Sequence, residues 1–577
     1  MALTLTAVEQ AMLDGAQGPG VAMAMRVVTG LGRVRGATRL VEIASAHIDG
    51  CLYHGWVGLD FAERLRDLGA RVVVPTTLNV GSLDLLHPGL VRGDTAEQRE
   101  VRTAGRALMD AYVALGARPT WTCAPYQLDA RPAFGEHVAW AESNAIAFCN
   151  SVLGARTDRY GDFLDICAAV TGRAPYAGLH TDGARRGDVL VDCSAIPDRV
   201  LRLDLAMPLL GYLVGSLVGT RNPVLVGLPE DVGEDGLKAF GAAAASSGGV
   251  AMFHVVGVTP EAPDLESAFG ATEPVERIGL RTDDLVRARH ELTTAESGRL
   301  DVVSVGTPHA SLDEIATLAR LLEGGPPIAP SVDWYLSTGR SVLAEAERLG
   351  HVRALEESGI RIVVDTCTYV TSILPPGARV AMTNSGKWAH YAPGTSGSTW
   401  SSEASRSASN PPGREGCSSM TRSCADPPSG MPLTAVPLHG GSARGAVLHL
   451  DAPLSFWGGT DHDGLVIDAH HPQHGWSVSG RVLVMTAGRG SSSSSYVLAE
   501  QLRRGTGPAA IVLGEADAII VLGSIVADEL YGIVTPVVQV ARGDLSALPS
   551  GLVVSVGADV ERGWARVTAD PSGVERS

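Results

Sequence analysis

Positive charge is scarce in this chain. Its 46 lysines and arginines face 63 acidic residues, a formal net charge of −17 over 577 residues. Nucleic acid and anionic membrane both select basic surfaces, so neither is expected as the main partner, and a small soluble substrate is. A long apolar run is also missing. The longest uncharged one, "LAMPLLGYLVGSLVG" from Leu205 to Gly219, is shorter than the ~20 residues of a bilayer span and is interrupted by Pro208 and Gly211. It is read as a buried core helix. The eight cysteines have neither the density nor the regular spacing of a secreted disulfide scaffold, which points to a reducing cytoplasm. No basic segment followed by an apolar one opens the chain, so no export signal is expected. Thr6 and Glu9 have instead the spacing of a helix capping box.

Three catalytic or binding signatures are absent as well. Gly386-Lys387 lacks the upstream glycine of a phosphate-binding loop, and Trp388 stands where that loop needs Ser or Thr. No Gly-x-Ser-x-Gly elbow supports a serine-nucleophile hydrolase built on the run Ser491–Ser495. "DAHHPQHG", with His470, His471 and His474, is read as a Pro-containing turn rather than a metal site. The most local absence is of valine, leucine and isoleucine, none of which occurs between Val380 and Leu433.

What is present describes a folded multidomain protein: 45% apolar and 19% charged residues, enough for three or four structural units. Short β-branched runs such as "NPVLVGL", "LDVVSVGTP" and "IRIVVDTC" alternate with amphipathic helical patterns, the signature of an α/β fold with mostly parallel sheets. Ligands in such folds sit beyond the carboxyl ends of strands. That draws attention to Thr76, Thr77 and Asn79, to Thr307 and His309, and to Asp365, Thr366 and Cys367. From Val436 onward the texture is that of a compact β-rich module with a few helices. In it "GRGSSSSSYVLAEQL" puts a serine run between a strand and the N-terminus of a helix, where free N–H groups favour an anion. Read alone, Cys123 and Cys367 are more often buried filler than ligands, and His47 and Asn79 are ordinary turn residues.

Taken together and in order, "SAHIDGCLYHG", "VPTTLNVGSLD", "WTCAPYQ", "WAESNAIAFCNSVLGART", "VDTCTYV", "MTNSGKWAHY", "LSFWGGTD", "HPQHG" and "GRGSSSSSYVLAE" resemble the aconitase X family. The resemblance implies a large α/β/α part with an iron site (1–394) and a β-rich swivelling small domain (436–577) closing over it. It also implies a dehydratase. Fused chains of this layout point to cis-3-hydroxy-L-proline as substrate and a pyrroline-2-carboxylate as product; the alternative is mevalonate 5-phosphate. Cys123 and Cys367 would be metal ligands, and Thr307 stands at a third position that is usually cysteine. A [2Fe-2S] cluster or a mononuclear iron is therefore expected ahead of a complete [4Fe-4S] cluster. Ser491 would be the base, made more acidic by Arg489, the Gly490 amide and the helix N-terminus. Lys387 would pair with the substrate carboxylate, and Ser45, Ala46, His47, Asn79, Val80, Glu142 and Ser143 would line the substrate or cluster pocket.

The resemblance fails across residues 395–424. Reading that segment one nucleotide out of register from Ser398 regenerates "VDVVFGSLAECV", the family's pattern, with Trp400 and Glu403 leaving little codon freedom. Residues 395–435 are accordingly read as a frameshifted segment plus linker, Cys417 and Cys424 are excluded as ligands, and a non-catalytic product of a damaged gene is the rival to an enzyme. Resequencing the gene is the check on this reading.

Overall fold

The computed structural model describes residues 3–270, 272–295, 297–393, 432–468 and 471–574. The proposed frameshifted segment, with Cys417 and Cys424, and also His470 lie outside the described residues.

Three parallel sheets follow one another along the large part. The first orders β2 (Ala46–Ile48) between β3 (Thr76–Leu78) and β4 (Ala139–Trp140), beside a short antiparallel pair of β1 (Leu40–Glu42) with β5 (Arg173–Pro175). The second contains β6 (Val189–Asp192), β7 (Pro223–Val226), β8 (His254–Val255) and β9 (Glu276–Gly279) in the order β8-β7-β6-β9. The third contains β10 (Val302–Ala310), β11 (Asp333–Thr338), β12 (Ile360–Val363) and β13 (Ala381–Met382) in the order β12-β11-β10-β13. Parallel strands need crossovers, and the helices that supply them bury both sheet faces, which is why these strands are apolar runs rather than alternating ones.

The C-terminal module is a closed barrel of seven strands: β14 (Leu433–His439), β15 (Gly441–His449), β16 (Val482–Met485), β17 (Ala510–Leu513), β18 (Val537–Gln539), β19 (Leu552–Asp559) and β20 (Trp564–Val574). Closure leaves no sheet edge. The barrel mixes parallel pairs, such as β16 with β17, and antiparallel ones, such as β19 with β20. Its interior is filled by β-branched and small residues, among them Val447, Val482, Val512, Val538 and Val554.

Several local expectations hold. Thr6 and Glu9 form a reciprocal capping box at the helix Ala7–Leu13. The uncharged run folds as the buried helix Ala206–Val218, stopped at Gly219. "VLAEAERLGHVRALEESG" makes two helices, Arg340–Arg348 and His351–Glu357, because Gly350 at φ 82° breaks the run. "AIIVLGSIVADELYG", part of the β-rich texture, contributes the helix Ala518–Tyr531, since it is long enough to bury one face on the barrel and another on the large part.

Large part and barrel share packed surface. Tyr496, on the barrel's helix Ser494–Arg504, is fully buried and stacks on Phe163 at 5.1 Å. Its hydroxyl lies so close to Gly58, in the helix Trp56–Asp67, that a Cβ there would be 1.1 Å from it. Gly58→Ala is therefore expected to cost about 3 kcal/mol or more, above the usual overpacking range because a stacked ring cannot move aside. Thermal unfolding reads this as a lowered Tm; an unchanged Tm would mean that the contact is not made.

Candidate functional site

The two sequence-predicted cysteines converge from different sheets. Cys123 follows Trp121, at φ 45°, and Cys367 follows Asp365, at φ 63°. Each thiol thus comes two residues after a non-glycine residue in left-handed backbone, a costly conformation that persists only where surroundings enforce it. For Asp365 the enforcement is visible: its carboxylate accepts from the Arg340 guanidinium at 2.6 and 2.7 Å and from the Leu85 N–H at 3.1 Å. Gly306, at φ 85°, turns β10 toward the same point; a Cβ there would be 2.1 Å from the Ser337 carbonyl. The following Thr307 has a buried hydroxyl without a hydrogen-bond partner.

His309 completes the group. A nitrogen of its ring and the sulfurs of Cys123 and Cys367 lie within 4.8 Å of one another, all buried. The His309 N–H also donates to the Cys123 sulfur at 3.3 Å. The ring is held on both sides, Nδ1 3.0 Å from Thr122 Oγ1 and Nε2 3.3 Å from the Thr366 carbonyl, and burial pushes its pKa down to about 4. Burial pushes the Cys123 thiol up, but the Cys367 thiol, Lys387 and the His309 N–H outweigh it and hold Cys123 below the usual thiol range. Cys367, donating to Cys123 and buried, is raised.

A small cavity of about 30 Å³ connects this group to the barrel. From the large part it is lined by Asn79, Val80, Glu142, Ser143, Lys387, Thr307 and the two cysteines, and from the barrel by Ser491, Ser493 and Trp457. A larger groove of about 540 Å³ touches Thr307 from its other side and contains no cysteine. Lys387 and Glu142 form a buried ion pair. Burial opposes the Lys387 charge, but Glu142, Tyr369 and Cys123 hold its pKa well above the ordinary lysine value; burial raises Glu142, with Lys387 opposing. Lys387 is presented by the helix Gly386–Tyr391, which Ser385 caps by accepting from the Trp388 N–H at 3.0 Å.

Four predicted residues do not line this cavity. Ser45 precedes β2, Ala46 and His47 lie within it, and the chain reaches the cavity only beyond the strand's carboxyl end, at Asp49. His47 packs against Thr77, Nδ1 to Oγ1 2.8 Å, and burial holds its pKa down near 3, so it is neutral. Arg489 pairs with Asp468 at 2.5 Å. The cation expected beside Ser491 is thus directed elsewhere, and another arginine, Arg159, secures the turn by donating to the Gly490 carbonyl at 2.6 Å. His471 sits in a turn, its Nε2 3.1 Å from the Ala452 carbonyl, and joins no metal-ligand group among the described residues.

Asp49, Tyr369, Tyr391 and Trp457 line the cavity without having been singled out. Asp49 was findable as the first polar residue after an apolar strand, and His309, already drawn out with Thr307 by its place at a strand end, joins the two thiols. Tyr369, Tyr391 and Trp457 lie within "VDTCTYV", "MTNSGKWAHY" and "LSFWGGTD", but no local pattern marks them out from their neighbours in those motifs.

Family models described as the Aconitase X first, second, third and swivel domains match residues 2–183, 187–290, 300–406 and 433–564. The chain is 47% identical over 405 residues to cis-3-hydroxy-L-proline dehydratase of Pseudomonas aeruginosa, covering 68% of this chain and 67% of that protein. It is 36% identical over 398 residues to the phosphomevalonate dehydratase large subunit of Methanothermobacter thermautotrophicus, covering 67% of this chain and 94% of that one. The crystal structure of Thermococcus kodakaraensis aconitase X in its holo-form superposes with a TM-score of 0.61 at 33% identity, covering 69% of this chain and 98% of that one. With four collinear domain matches and the same fold, the chain belongs to the aconitase X family.

Proposed function

We propose that this protein is a hydro-lyase that removes water from cis-3-hydroxy-L-proline to give a pyrroline-2-carboxylate. The observation that carries the substrate choice is the Lys387–Glu142 pair in the cavity wall. A cyclic amino acid is a zwitterion; its carboxylate suits the Lys387 ammonium and its ring ammonium suits Glu142. Mevalonate 5-phosphate has no ammonium and carries a phosphate dianion, whereas among the described residues this wall offers Lys387 as its only cation against Asp49 and Glu142. Charge complementarity therefore favours the amino acid. A serine hydrolase would need a histidine beside its nucleophile, and the described lining contains none.

The residues present fit an iron group held by two thiolates. Cys123 and Cys367 supply soft ligands, His309 stands within reach, and the orphaned Thr307 hydroxyl offers oxygen where a third thiolate would be needed for a [4Fe-4S] cluster. A [2Fe-2S] cluster or a single iron is the corresponding assignment. Bound there, iron would supply Lewis-acid assistance to the departing hydroxyl. The chain's own residues do the rest: Lys387 and Glu142 orient the zwitterion, Ser491 takes the proton next to the carboxylate, and Tyr391 and Trp457, packed edge to face at 4.6 Å, exclude bulk water. The six described cysteines are all free and buried, which supports a cytoplasmic protein.

Anaerobic reconstitution with iron, followed by assay of cis-3-hydroxy-L-proline beside mevalonate 5-phosphate, tests the reading. Turnover of the amino acid is expected; turnover of neither would overturn it and favour the damaged-gene product. Cys123→Ser and Cys367→Ser are each expected to lower bound iron at least tenfold by elemental analysis, because a hydroxyl is not ionised where a thiolate is. Wild-type iron content in both variants would exclude the thiol pair as the holder.

A further inference from the structure

Buried polar atoms in folded proteins are nearly always hydrogen-bonded, so each one left without a partner calls for a reason. Three such atoms belong to residues lining the cavity: Asn79 Oδ1, Thr307 Oγ1 and the Tyr391 hydroxyl, on residues 3%, 7% and 7% exposed. Asn79 donates to Asp49 through Nδ2, so its Oδ1 is left as an acceptor. Thr307 is accounted for by its place beside the thiol pair. The Tyr391 hydroxyl remains, and the steps above use only the ring that carries it.

Tyr391 comes four residues after Lys387 in the helix Gly386–Tyr391, so the two share a helix face. Its ring is held between Tyr369, stacked at 6.5 Å, and Trp457, edge to face at 4.6 Å. A Cβ on Gly490, the residue before Ser491, would lie 3.9 Å from the Tyr391 hydroxyl. Nearby Ser246 already gives its own hydrogen to the Ala242 carbonyl at 2.8 Å. Burial pushes the phenol above its ordinary range, with Lys387, Ser246 and Arg159 opposing, so at neutral pH it keeps its proton. The charges acting most strongly on Tyr391 are Lys387, Arg159 and Glu142, whereas Tyr369 feels both thiols. The hydroxyl thus stands beside the lysine and the serine, not beside the thiols.

We propose that Tyr391 is a further catalytic residue, whose hydroxyl donates a hydrogen bond to the substrate carboxylate oxygen that Lys387 does not hold. The inference rests on the hydro-lyase reading. As the C2–H bond breaks and its proton passes to the base, the electron pair spreads from C2 into the carboxylate, and the oxygen facing Tyr391 gains charge. A donor fixed in place before that charge appears stabilises it without reorganisation. The phenol keeps its proton throughout, and nothing is oxidised or reduced at it. Lys387 alone serves this oxygen pair less well, because its ammonium also neutralises Glu142.

The test compares the iron-loaded wild-type chain with Tyr391→Phe on cis-3-hydroxy-L-proline carrying hydrogen or deuterium at C2. The variant is expected to lower kcat about 10²-fold, as removal of one donor at a developing oxyanion does. KM should stay within about threefold, because the hydrogen bond strengthens mainly as charge develops. The deuterium effect on kcat should be at least as large as in wild type, since proton removal is the step that slows. Tm and iron content should match wild type, because the deleted hydroxyl leaves no buried partner stranded. A kcat within threefold of wild type overturns the proposal. So does a deuterium effect that falls toward unity, which would move the phenol to the departing oxygen, and so does a lowered Tm or iron content, which would assign the hydroxyl to folding. A wild-type chain that does not dehydrate the amino acid overturns the hydro-lyase reading and this inference with it.

Discussion

Ser491→Ala is expected to lower kcat about 10³- to 10⁴-fold, at the upper end of what a positioned base contributes, with Tm and iron content unchanged. The expectation comes from how the structure divides five consecutive serines. Ser492 donates to Asp49, Ser494 meets the Ser455 hydroxyl at 3.2 Å and the Trp457 N–H at 3.3 Å, and Ser495 donates to the Ser492 carbonyl at 3.0 Å. Ser492, through Asp49, and Ser495, which also meets the Asp162 carbonyl at 3.3 Å, serve the junction between barrel and large part, while Ser494 ties together loops of the barrel. Ser491 and Ser493 face the cavity. Ser491 Oγ accepts the Ser493 N–H at 3.2 Å, a bond that favours the alkoxide over the neutral hydroxyl. Single alanine substitutions along the run, read by kcat and Tm in parallel, check the division. Position 491 should lose rate without stability, and 492 should lose stability. A Ser491→Ala enzyme within tenfold of wild-type kcat would exclude it as the base.

Lys387→Met should have the largest combined effect. Removing one partner of a buried ion pair leaves the other charge without compensation, at about 3 to 5 kcal/mol. Glu142 is 4% exposed, and besides Lys387 its carboxylate accepts from Asn144 Nδ2 and, at 2.8 Å, from the Ala145 N–H. Those bonds soften the loss without cancelling it. Urea unfolding should show the destabilisation, and kcat/KM should fall at least 10³-fold because the substrate carboxylate loses its partner. Lys387→Met with Glu142→Gln should recover most of the stability and none of the activity. Recovery of both would assign the pair to folding alone, whereas a single variant as stable as wild type would mean that the pair is solvated.

The fold was legible where its causes are local. Strand runs, the capping box at Thr6 and the core helix Ala206–Val218 each follow from residue types within a few positions. Strand lengths were less so: "RVVVPTT" contributes a strand only from Thr76, because the preceding valines, two of them half-buried and Val73 exposed, have no neighbour to pair with in the first sheet. At the site, the collinear motifs carried Asn79, Val80, Cys123, Glu142, Ser143, Lys387 and Ser491 to one cavity. They carried Ser45, Ala46 and His47 too far back along β2, since a motif spans a whole strand and loop whereas a cavity meets only the loop. Arg489 was equally visible in sequence, but its partner Asp468 lies on another loop.

By itself the sequence determined the class of protein, its order of parts and the residue types its chemistry draws on, because composition, periodicity and motif order are properties of the chain read along its length. Only the tertiary structure decided which of those residues meet. That Cys123, His309 and Cys367 share a few ångströms and that Lys387 already holds Glu142 depend on pairs separated by tens to hundreds of residues. Such pairs are fixed by sheet order and by burial in low dielectric, where charges must find partners or protons, and neither is written in the neighbourhood of any one of them.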